Sequence, residues 1–130
     1  RETQEQVRGL LPGGGGTQRL GRIAVLGRAK EIIFTADRYD PETMRDYGVV
    51  TEVVATEDFE ERVQEFTAET AAGPPIAQRF TKRAMHRGWN DVDAGLELEA
   101  QAFGHLMSTD DLATGINAFV ADEDPEFEGK

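Results

Sequence analysis

The sequence contains no cysteine, which excludes disulfide bonds, thiolate nucleophiles and cysteine-ligated metal sites. Lysine is scarce, because Lys30, Lys82 and Lys130 are the only lysines among 14 basic residues. Long apolar runs are also missing, and stretches such as 32–34 and 53–55 fall far below the roughly 18–20 residues that a membrane span requires. The sequence therefore predicts a protein that neither crosses a membrane nor depends on cysteine chemistry.

Acidic residues outnumber basic ones by 25 to 14, which gives a formal net charge of −11 at pH 7 and a pI of about 4.6. A field this negative repels nucleic acid and anionic lipid, so neither is expected as a partner. A surface rich in carboxylate and poor in lysine is typical of proteins that work in concentrated salt, where the Debye length shortens to about 3 Å at 1 M. We therefore predict a halophilic source, and the alternative is an ordinary acidic cytosolic protein. The lack of cysteine is consistent with the cytoplasmic location that we expect.

A length of 130 residues fits one domain or part of one. The chain opens at Arg1, without an initiator methionine or the pattern of a signal peptide, and we interpret it as a piece of a longer protein. The Gly-Pro-Pro sequence at 73–75 is the strongest boundary signal. We therefore predict a mixed α/β part over 1–73 and a helical part over 74–130.

Hydrophobic patterning assigns elements to both parts. The β-branched segment 49–55 predicts a strand. Apolar residues at helical spacing predict helices, with caps at Thr17, Asp40 and Asp58 in the first part. In the second part they predict three helices, over 75–87, 92–107 and 110–120. The apolar faces of the predicted helices are formed by Ala29, Ile32, Ile33, Val63, Phe66, Leu96, Ala100, Phe103, Met107, Leu112, Ile116 and Phe119.

The feature that most suggests chemistry is a glycine run at 13–16, which directly follows Pro12. Glycine lets backbone amides approach a ligand without a Cβ in the way. The run does not fit a Walker A loop, because Gly16 precedes Thr17 and not the lysine that must reach the phosphates. It also lacks the last glycine of a dinucleotide-binding fingerprint. The usual phosphate-binding interpretations are therefore disfavoured.

The order of Glu5, Gly9, Pro12 and the glycines that lead into TQRL resembles the crotonase family, the enoyl-CoA hydratases and isomerases, whose second half carries PExxxGxxPGxGGTQRL. The likeness continues through GRAKEIIFTA, through a helix whose PxxxxxxK motif runs from Pro75 to Lys82, and through a terminal run that begins at Ser108. It covers essentially all 130 residues. The resemblance implies an α/β fold, the C-terminal part of a crotonase-like spiral followed by a mainly helical oligomerisation region.

The resemblance also implies an activity, the addition of water across the double bond of a trans-2-enoyl-CoA. In such hydratases two glutamates hold the water and transfer protons, while two backbone amides polarise the thioester carbonyl. Glu5 matches the second of these glutamates, and Gly13 matches the glycine whose amide helps to fix the water. Pro12 and Phe103 match substrate-binding positions. Phe103 is either close to the bound CoA ester or one member of the core stripe of its helix.

Other parts of the resemblance concern the whole protein. The family's first glutamate and both carbonyl-polarising amides correspond to positions upstream of this sequence, so we expect the 130 residues alone to be inactive. The family assembles as homo-trimers, often paired into hexamers, and no cofactor is expected beyond the coenzyme A that the substrate carries. His86 and His105 lie on different predicted helices without a ligand spacing, so no metal is expected.

Three alternatives to a straight-chain enoyl-CoA hydratase stay open. PGGGGTQRL followed by AKEIIFTA also resembles methylglutaconyl-CoA hydratases, which would mean a branched acyl substrate. An enoyl-CoA isomerase would use a single carboxylate, and Glu5 would then be dispensable. From a different class of protein, the chain could be a non-catalytic oligomerisation module.

Overall fold

The computed structural model describes residues 5–130, which form helices joined by turns and irregular segments. Two short 3₁₀ turns are present, at Gln6–Arg8 and Thr56–Asp58. The α-helices are α1 (Gly16–Ile23), α2 (Leu26–Thr35), α3 (Pro41–Asp46), α4 (Phe59–Ala71), α5 (Pro75–Gly88), α6 (Val92–Leu106) and α7 (Asp110–Ala121).

The chain divides into two compact units, one that ends at Phe59 and one that runs from Glu60 to Lys130. The division at residue 73, which the sequence suggests from its Gly-Pro-Pro signal, stays a prediction. Across the described part of the chain, every helix is too short or too polar to cross a membrane.

The structure corrects the predicted α/β spiral fold, because residues 5–130 contain no β-strand. The segment 49–55, predicted as a strand, consists of bends and irregular backbone. The amides of Val49 and Val50 turn back to the carbonyl oxygen of Met44, at 2.9 and 3.4 Å, and so close the end of α3. β-branched residues favour a strand where a neighbouring strand supplies hydrogen-bond partners, and the described chain offers no such neighbour. Tertiary context therefore overrides the local propensity here.

The first unit has a small apolar core built on α2. Ala29, Ile32 and Ile33 are buried along one face of this helix, and Ala24 at the end of α1 is completely buried. α1 packs directly on α2. The predicted apolar face of α2 is therefore confirmed, and the spacing of 3 and 4 residues explains why these side chains share one side.

α3 shows how a cap-then-proline signal starts a helix. The Asp40 carboxylate accepts a hydrogen bond from the amide of Thr43 at 2.7 Å, and Pro41 occupies the first helical position. This hydrogen bond lowers the pKa of Asp40, because it favours the ionised carboxylate. The predicted start of this helix is confirmed.

In the second unit α5 packs against α6, and small residues make the close approach possible. Gly95 is buried, and a Cβ built there would lie only 2.6 Å from the Cα of Gly88. Ala102, two turns further along α6, is also buried. α6 therefore buries two of its small residues, Gly95 and Ala102.

Most residues of the predicted apolar faces in the second unit are exposed, which corrects the expectation that they form its core, whereas Leu112 is half-buried. On α4, Val63 and Phe66 were expected to point inward, and both are exposed. On α6 and α7 the same holds for Phe103, and Phe119 is 86% exposed. Helical periodicity places these residues on one face but does not supply the surface that would cover them. The other exposed members of these faces are Leu96, Met107 and Ile116.

The last residues of the chain fold back onto α7. The Asp111 carboxylate, whose residue is only 6% exposed, accepts hydrogen bonds from the amides of Glu128 and Gly129 at 2.9 and 3.1 Å. The Asp111 amide donates in turn to the carbonyl oxygen of Lys130 at 3.3 Å. The C-terminal segment is therefore held at the first turn of α7 by hydrogen bonds to both the side chain and the amide of Asp111.

Candidate functional site

The glycine run forms a tight turn between the first 3₁₀ turn and α1. Pro12 is buried and packs on Gly16, where a Cβ would lie 2.9 Å from the Pro12 Cβ. Gly15 has a φ of 87°, a left-handed conformation that glycine adopts without steric cost. Because Gly15 is the N-cap, α1 begins at Gly16, and the prediction of Thr17 as the cap is wrong. The glycine run is therefore a shaped turn that leads directly into a helix.

Gly13 occupies the exposed part of this turn. A Cβ at this position would meet only the carbonyl oxygen of Leu11, at 3.9 Å. Within residues 5–130, no group accepts a hydrogen bond from the Gly13 amide. A backbone amide left open in this way can donate to a water or to a ligand. The Gly13 amide is thus free to donate at a residue that leaves room for a bound group, and among residues 5–130 the amides of Gly14 and Gly15 have no acceptor either.

Glu5 begins the first 3₁₀ turn, and its carbonyl oxygen accepts hydrogen bonds from the amides of Arg8 and Leu10 at 2.9 and 3.0 Å. Its side-chain Oε2 is out of contact with solvent and has no hydrogen-bond partner in the described part of the chain. Burying a carboxylate oxygen without a partner is unfavourable, and such atoms are uncommon in folded proteins. The carbonyl oxygen of Glu5 therefore has hydrogen-bond donors, whereas its Oε2 is left for another group.

The predicted site residues fall into both units. Glu5, Pro12 and Gly13 lie in the first unit, within two successive turns of the chain, although no hydrogen bond among residues 5–130 joins Glu5 to Gly13. Phe103 lies on α6 in the second unit and is 68% exposed. It lines an open apolar groove of about 350 Å³ between α5 and α6, to which Phe80 also contributes. The core of its own unit therefore does not enclose the Phe103 ring.

A second group of titratable side chains joins α2 to the end of α3. The carboxylate of Glu31 accepts from Arg28 Nη1 at 2.7 Å and from the Tyr47 hydroxyl at 3.2 Å, and the Arg28 guanidinium lies 4.5 Å from the centre of the Tyr47 ring. The bond to Arg28 lowers the pKa of Glu31 and raises that of Arg28, while desolvation raises the pKa of Tyr47. Both carboxylate oxygens are engaged, so this cluster is structural.

The two histidines were considered as metal ligands. In the portion of the chain that the structure describes, no three metal-ligating side chains come together. His105 packs edge-on against the ring of Phe80, with 5.3 Å between ring centres. His86 and His105 lie on α5 and α6 respectively.

Two polar residues have roles that the sequence analysis did not identify. Arg19 donates from Nη2 to the carbonyl oxygen of Gly14, so its guanidinium folds back over the glycine turn. Asp111 holds the C-terminal segment, because its carboxylate accepts from the amides of Glu128 and Gly129. The only sequence signal for Arg19 is its position one helical turn after Gly15, and a pair of adjacent aspartates gives no sign of which one faces inward.

Known proteins that resemble this chain share one description. A family described as Enoyl-CoA hydratase/isomerase matches residues 2–130. A short-chain-enoyl-CoA hydratase of Clostridium acetobutylicum is 35% identical over 113 residues, which cover 86% of this chain and 43% of that protein. The mitochondrial Enoyl-CoA hydratase domain-containing protein 2 of Mus musculus is 37% identical over 131 residues, which cover 97% of this chain and 44% of that protein.

The fold comparison agrees with the sequence comparison. A crystal structure of an enoyl-CoA hydratase from Bacillus anthracis matches with a TM-score of 0.87 and 37% identity, over 97% of this chain and 49% of that chain. The chain spans less than half the length of these three relatives. Because the family matches nearly every residue and the identities exceed 30%, the chain belongs to the enoyl-CoA hydratase/isomerase family.

Proposed function

We propose that the full-length protein is an enoyl-CoA hydratase, which adds water across the double bond of a trans-2-enoyl-CoA. The relatives named above support this, since the protein of C. acetobutylicum is named a short-chain-enoyl-CoA hydratase and that of B. anthracis an enoyl-CoA hydratase. Coenzyme A enters as part of the substrate, and we propose no separate cofactor.

The observation that carries the proposal is the buried Oε2 of Glu5, which lacks a hydrogen-bond partner within the described residues. A buried carboxylate oxygen without a partner is unfavourable until a donor reaches it, and a catalytic water is such a donor. The open amide of Gly13, in the turn that follows, is a second group that can hold water. Both groups occur at the positions where the family motif has its glutamate and its glycine.

The proposed chemistry assigns a role to each group. The oxygen of water forms a bond to the β-carbon of the substrate, one proton of that water goes to a carboxylate, and a proton is delivered to the α-carbon. Glu5 transfers one of these protons, while the amide of Gly13 helps to hold the water. A second glutamate and the amides that polarise the thioester carbonyl would come from the part of the protein that corresponds to the family's first half.

We further propose that Pro12 and Phe103 contribute to substrate binding. Pro12 is buried and braces the turn that carries Gly13, so it acts by shaping the site. Phe103 offers an exposed aromatic face in an apolar groove, which suits contact with the apolar parts of an acyl-CoA.

The protein is proposed to assemble as a homo-trimer or a hexamer. The apolar residues exposed on α6 and α7, among them Phe103, Met107 and Phe119, support this proposal, because large apolar side chains of a single chain gain free energy when a second copy covers them. Assembly would also explain why periodic apolar faces occur where one chain supplies nothing to pack on them.

We propose a cytoplasmic location, although the name of the M. musculus relative includes the word mitochondrial. The proposal is supported by the absence of cysteine. Fractionation of the source cells tests it, since recovery of the protein with membranes or an organelle would overturn the assignment.

The experiment that tests the activity is the replacement Glu5→Gln in the full-length protein, with crotonyl-CoA as substrate. Removing a general acid or base is expected to lower kcat for hydration by about 10²–10⁴-fold. Glu57→Gln is the matched control, because Glu57 is an exposed glutamate that also lies at a 3₁₀ turn, and it should leave kcat unchanged. Hydration that survives Glu5→Gln within a few fold would exclude the proposed mechanism.

The same variants separate the hydratase from the isomerase. If the protein shifts a double bond between the 3- and 2-positions with a single carboxylate elsewhere, isomerisation of a 3-enoyl-CoA will survive Glu5→Gln. A comparison of crotonyl-CoA with a branched methylglutaconyl-CoA then identifies the acyl group by the larger kcat/KM.

A further inference from the structure

The Arg19 side chain makes a contact that its position on α1 does not require. Instead of extending into solvent, it folds back toward the N-terminus of the helix, and Nη2 donates a hydrogen bond to the carbonyl oxygen of Gly14. The guanidinium covers Gly15 closely, so that a Cβ built on Gly15 would lie 2.9–3.0 Å from its atoms. Gly15 is thus favoured by its positive φ of 87°, and its lack of a Cβ leaves the space that the guanidinium occupies.

This contact completes a brace around Gly13. On one side Pro12 is buried and packs against Gly16, with 2.9 Å between the Pro12 Cβ and the place of a Gly16 Cβ. On the other side the carbonyl oxygen of Gly14 is held by Arg19. Gly13 lies between the two fixed points, and in the described chain its own amide has no acceptor.

Four consecutive glycines have more backbone freedom than any other run of four residues, so the turn needs such fixed points to hold one conformation. A guanidinium suits this task better than an ammonium, because it is planar and can lie flat on Gly15 while it donates to Gly14. The helix that carries Arg19 starts at Gly16, so the brace and the turn are built from one continuous segment.

We propose that Arg19 is a positioning residue, which holds the glycine turn so that the amide of Gly13 points to the water in the hydration reaction. The inference rests on the proposed function, since it assigns that amide a catalytic water. Arg19 itself touches neither water nor substrate in this proposal. Its effect should therefore appear in kcat, because misplacement of a reacting group by about 1 Å costs on the order of 10²-fold in rate.

Arg22 provides the matched control. It lies on the same helix, one turn after Arg19, and its Nη1 donates to the carbonyl oxygen of Gln18 at 2.7 Å and to the Gln18 Oε1 at 3.3 Å. Removing Arg22 takes the same charge from the same helix and removes the bonds to Gln18, while the bond from Arg19 to Gly14 stays. If Arg19→Ala lowers kcat more than Arg22→Ala does, the difference therefore measures the contribution of the brace.

The experiment compares Arg19→Ala, Arg19→Lys and Arg22→Ala in the full-length protein, with Glu5→Gln beside them. We expect Arg19→Ala to lower kcat for hydration of crotonyl-CoA by about 30–100-fold with KM within about twofold of the wild type. Millimolar ethylguanidinium should restore part of the lost kcat in a saturable way, and Arg19→Lys should fall between the wild type and Arg19→Ala. Arg22→Ala should keep kcat within about threefold, without response to ethylguanidinium.

Hydrogen exchange adds a readout of the turn itself. Arg19→Ala should speed exchange of the amides of residues 18 and 19, which donate to the carbonyl oxygen of Gly15 at 3.2 and 3.0 Å, more than Arg22→Ala does. The inference is overturned if Arg19→Ala retains kcat, if it loses no more than Arg22→Ala, or if ethylguanidinium restores nothing. In those cases a wild type that hydrates and a Glu5→Gln variant that does not would leave the proposed function standing. A wild type without hydration would overturn both.

Discussion

Asp111 shows how much a single buried carboxylate can do at the residue scale. Its oxygens accept from the amides of Glu128 and Gly129, which are far away in sequence and would otherwise be left without partners. Hydrogen bonds to an ionised acceptor are stronger than those between neutral groups. The Asp111 carboxylate therefore supplies the hydrogen-bond acceptors that a helix or a strand would otherwise supply to the amides of Glu128 and Gly129.

We predict that Asp111→Ala lowers the free energy of unfolding by about 1.5–3 kcal/mol, the usual contribution of a hydrogen bond to a charged group. Urea denaturation of the full chain measures this, and hydrogen exchange should show the amides of Glu128 and Gly129 losing protection. Both amides depend on the same carboxylate, so they should lose protection together.

Asp110→Ala is the control for this prediction. Both aspartates lie in the first turn of α7 and share its favourable interaction with the helix dipole, but only Asp111 is buried. If the two variants lose equal stability, the hydrogen bonds to the C-terminal segment contribute nothing measurable.

Residue-scale roles were only partly predictable from the sequence. The motif match named Glu5 and Gly13 as candidates, and their partners could not be deduced, because an unpaired oxygen or amide is a property of the folded surroundings. Nothing in the sequence says in which direction the flexible guanidinium of Arg19 turns. Only the folded structure shows that Arg19 donates a hydrogen bond to the carbonyl oxygen of Gly14.

At the scale of elements, the crossing of α5 and α6 depends on two glycines. A Cβ on Gly95 would lie 2.6 Å from the Cα of Gly88 and 3.0 Å from its amide nitrogen, distances at which one backbone must move. Flexible side chains can give way to a new methyl group, whereas packed backbones cannot without shifting a helix. The close contact of α5 and α6 is therefore sensitive to a single added carbon.

We predict opposite effects of alanine at two glycines of α6. Gly95→Ala should destabilise the protein by about 1–3 kcal/mol, the typical cost of overpacking. Gly104→Ala should stabilise it by about 1 kcal/mol, because Gly104 is exposed, a Cβ there meets nothing within 4 Å, and alanine has the higher helix propensity.

Urea denaturation of both variants checks this pair of predictions. Because the two changes are chemically identical and lie on one helix, any difference in sign comes from the surroundings of each glycine. A Gly95→Ala variant as stable as Gly104→Ala would show that α5 and α6 do not approach each other as closely as described.

Elements themselves were predictable where the signal was local. The cap and proline at the start of α3 and the apolar face of α2 follow from residues a few positions apart. The prediction of a strand at 49–55 was wrong. A strand depends on hydrogen bonds to a separate segment, and 49–55 finds no such segment within the described residues.

At the scale of the whole molecule, the charge and the exposed apolar residues act against each other. A net charge of −11 opposes both compact folding and the approach of a second copy in dilute buffer. The apolar residues exposed on α6 and α7, such as Phe103 and Phe119, favour association. Salt weakens the charge repulsion, since the Debye length falls from about 10 Å at 0.1 M to 3 Å at 1 M. It does not weaken the association of apolar residues.

We therefore predict that molar KCl raises both the melting temperature and the mass measured by light scattering in the full-length protein. Each 1 kcal/mol of repulsion relieved is worth roughly 2–8 °C in Tm, depending on the length of the chain. The mass should approach that of a trimer or hexamer as salt increases. A higher Tm in dilute buffer would contradict the expected adaptation to salt, and a monomer at every salt concentration would contradict the assembly.

The sequence by itself determined the family, the exclusion of cysteine chemistry, the place of the glycine turn and the local starts of helices such as α3. Only the tertiary structure decided that 49–55 forms no strand, that Asp111 and not Asp110 holds the C-terminal segment, and that Arg19 braces the glycine turn. The physical reason is range. Caps, turns and periodicity depend on residues within about one helical turn, whereas burial and hydrogen-bond partners depend on which distant segments the fold brings together.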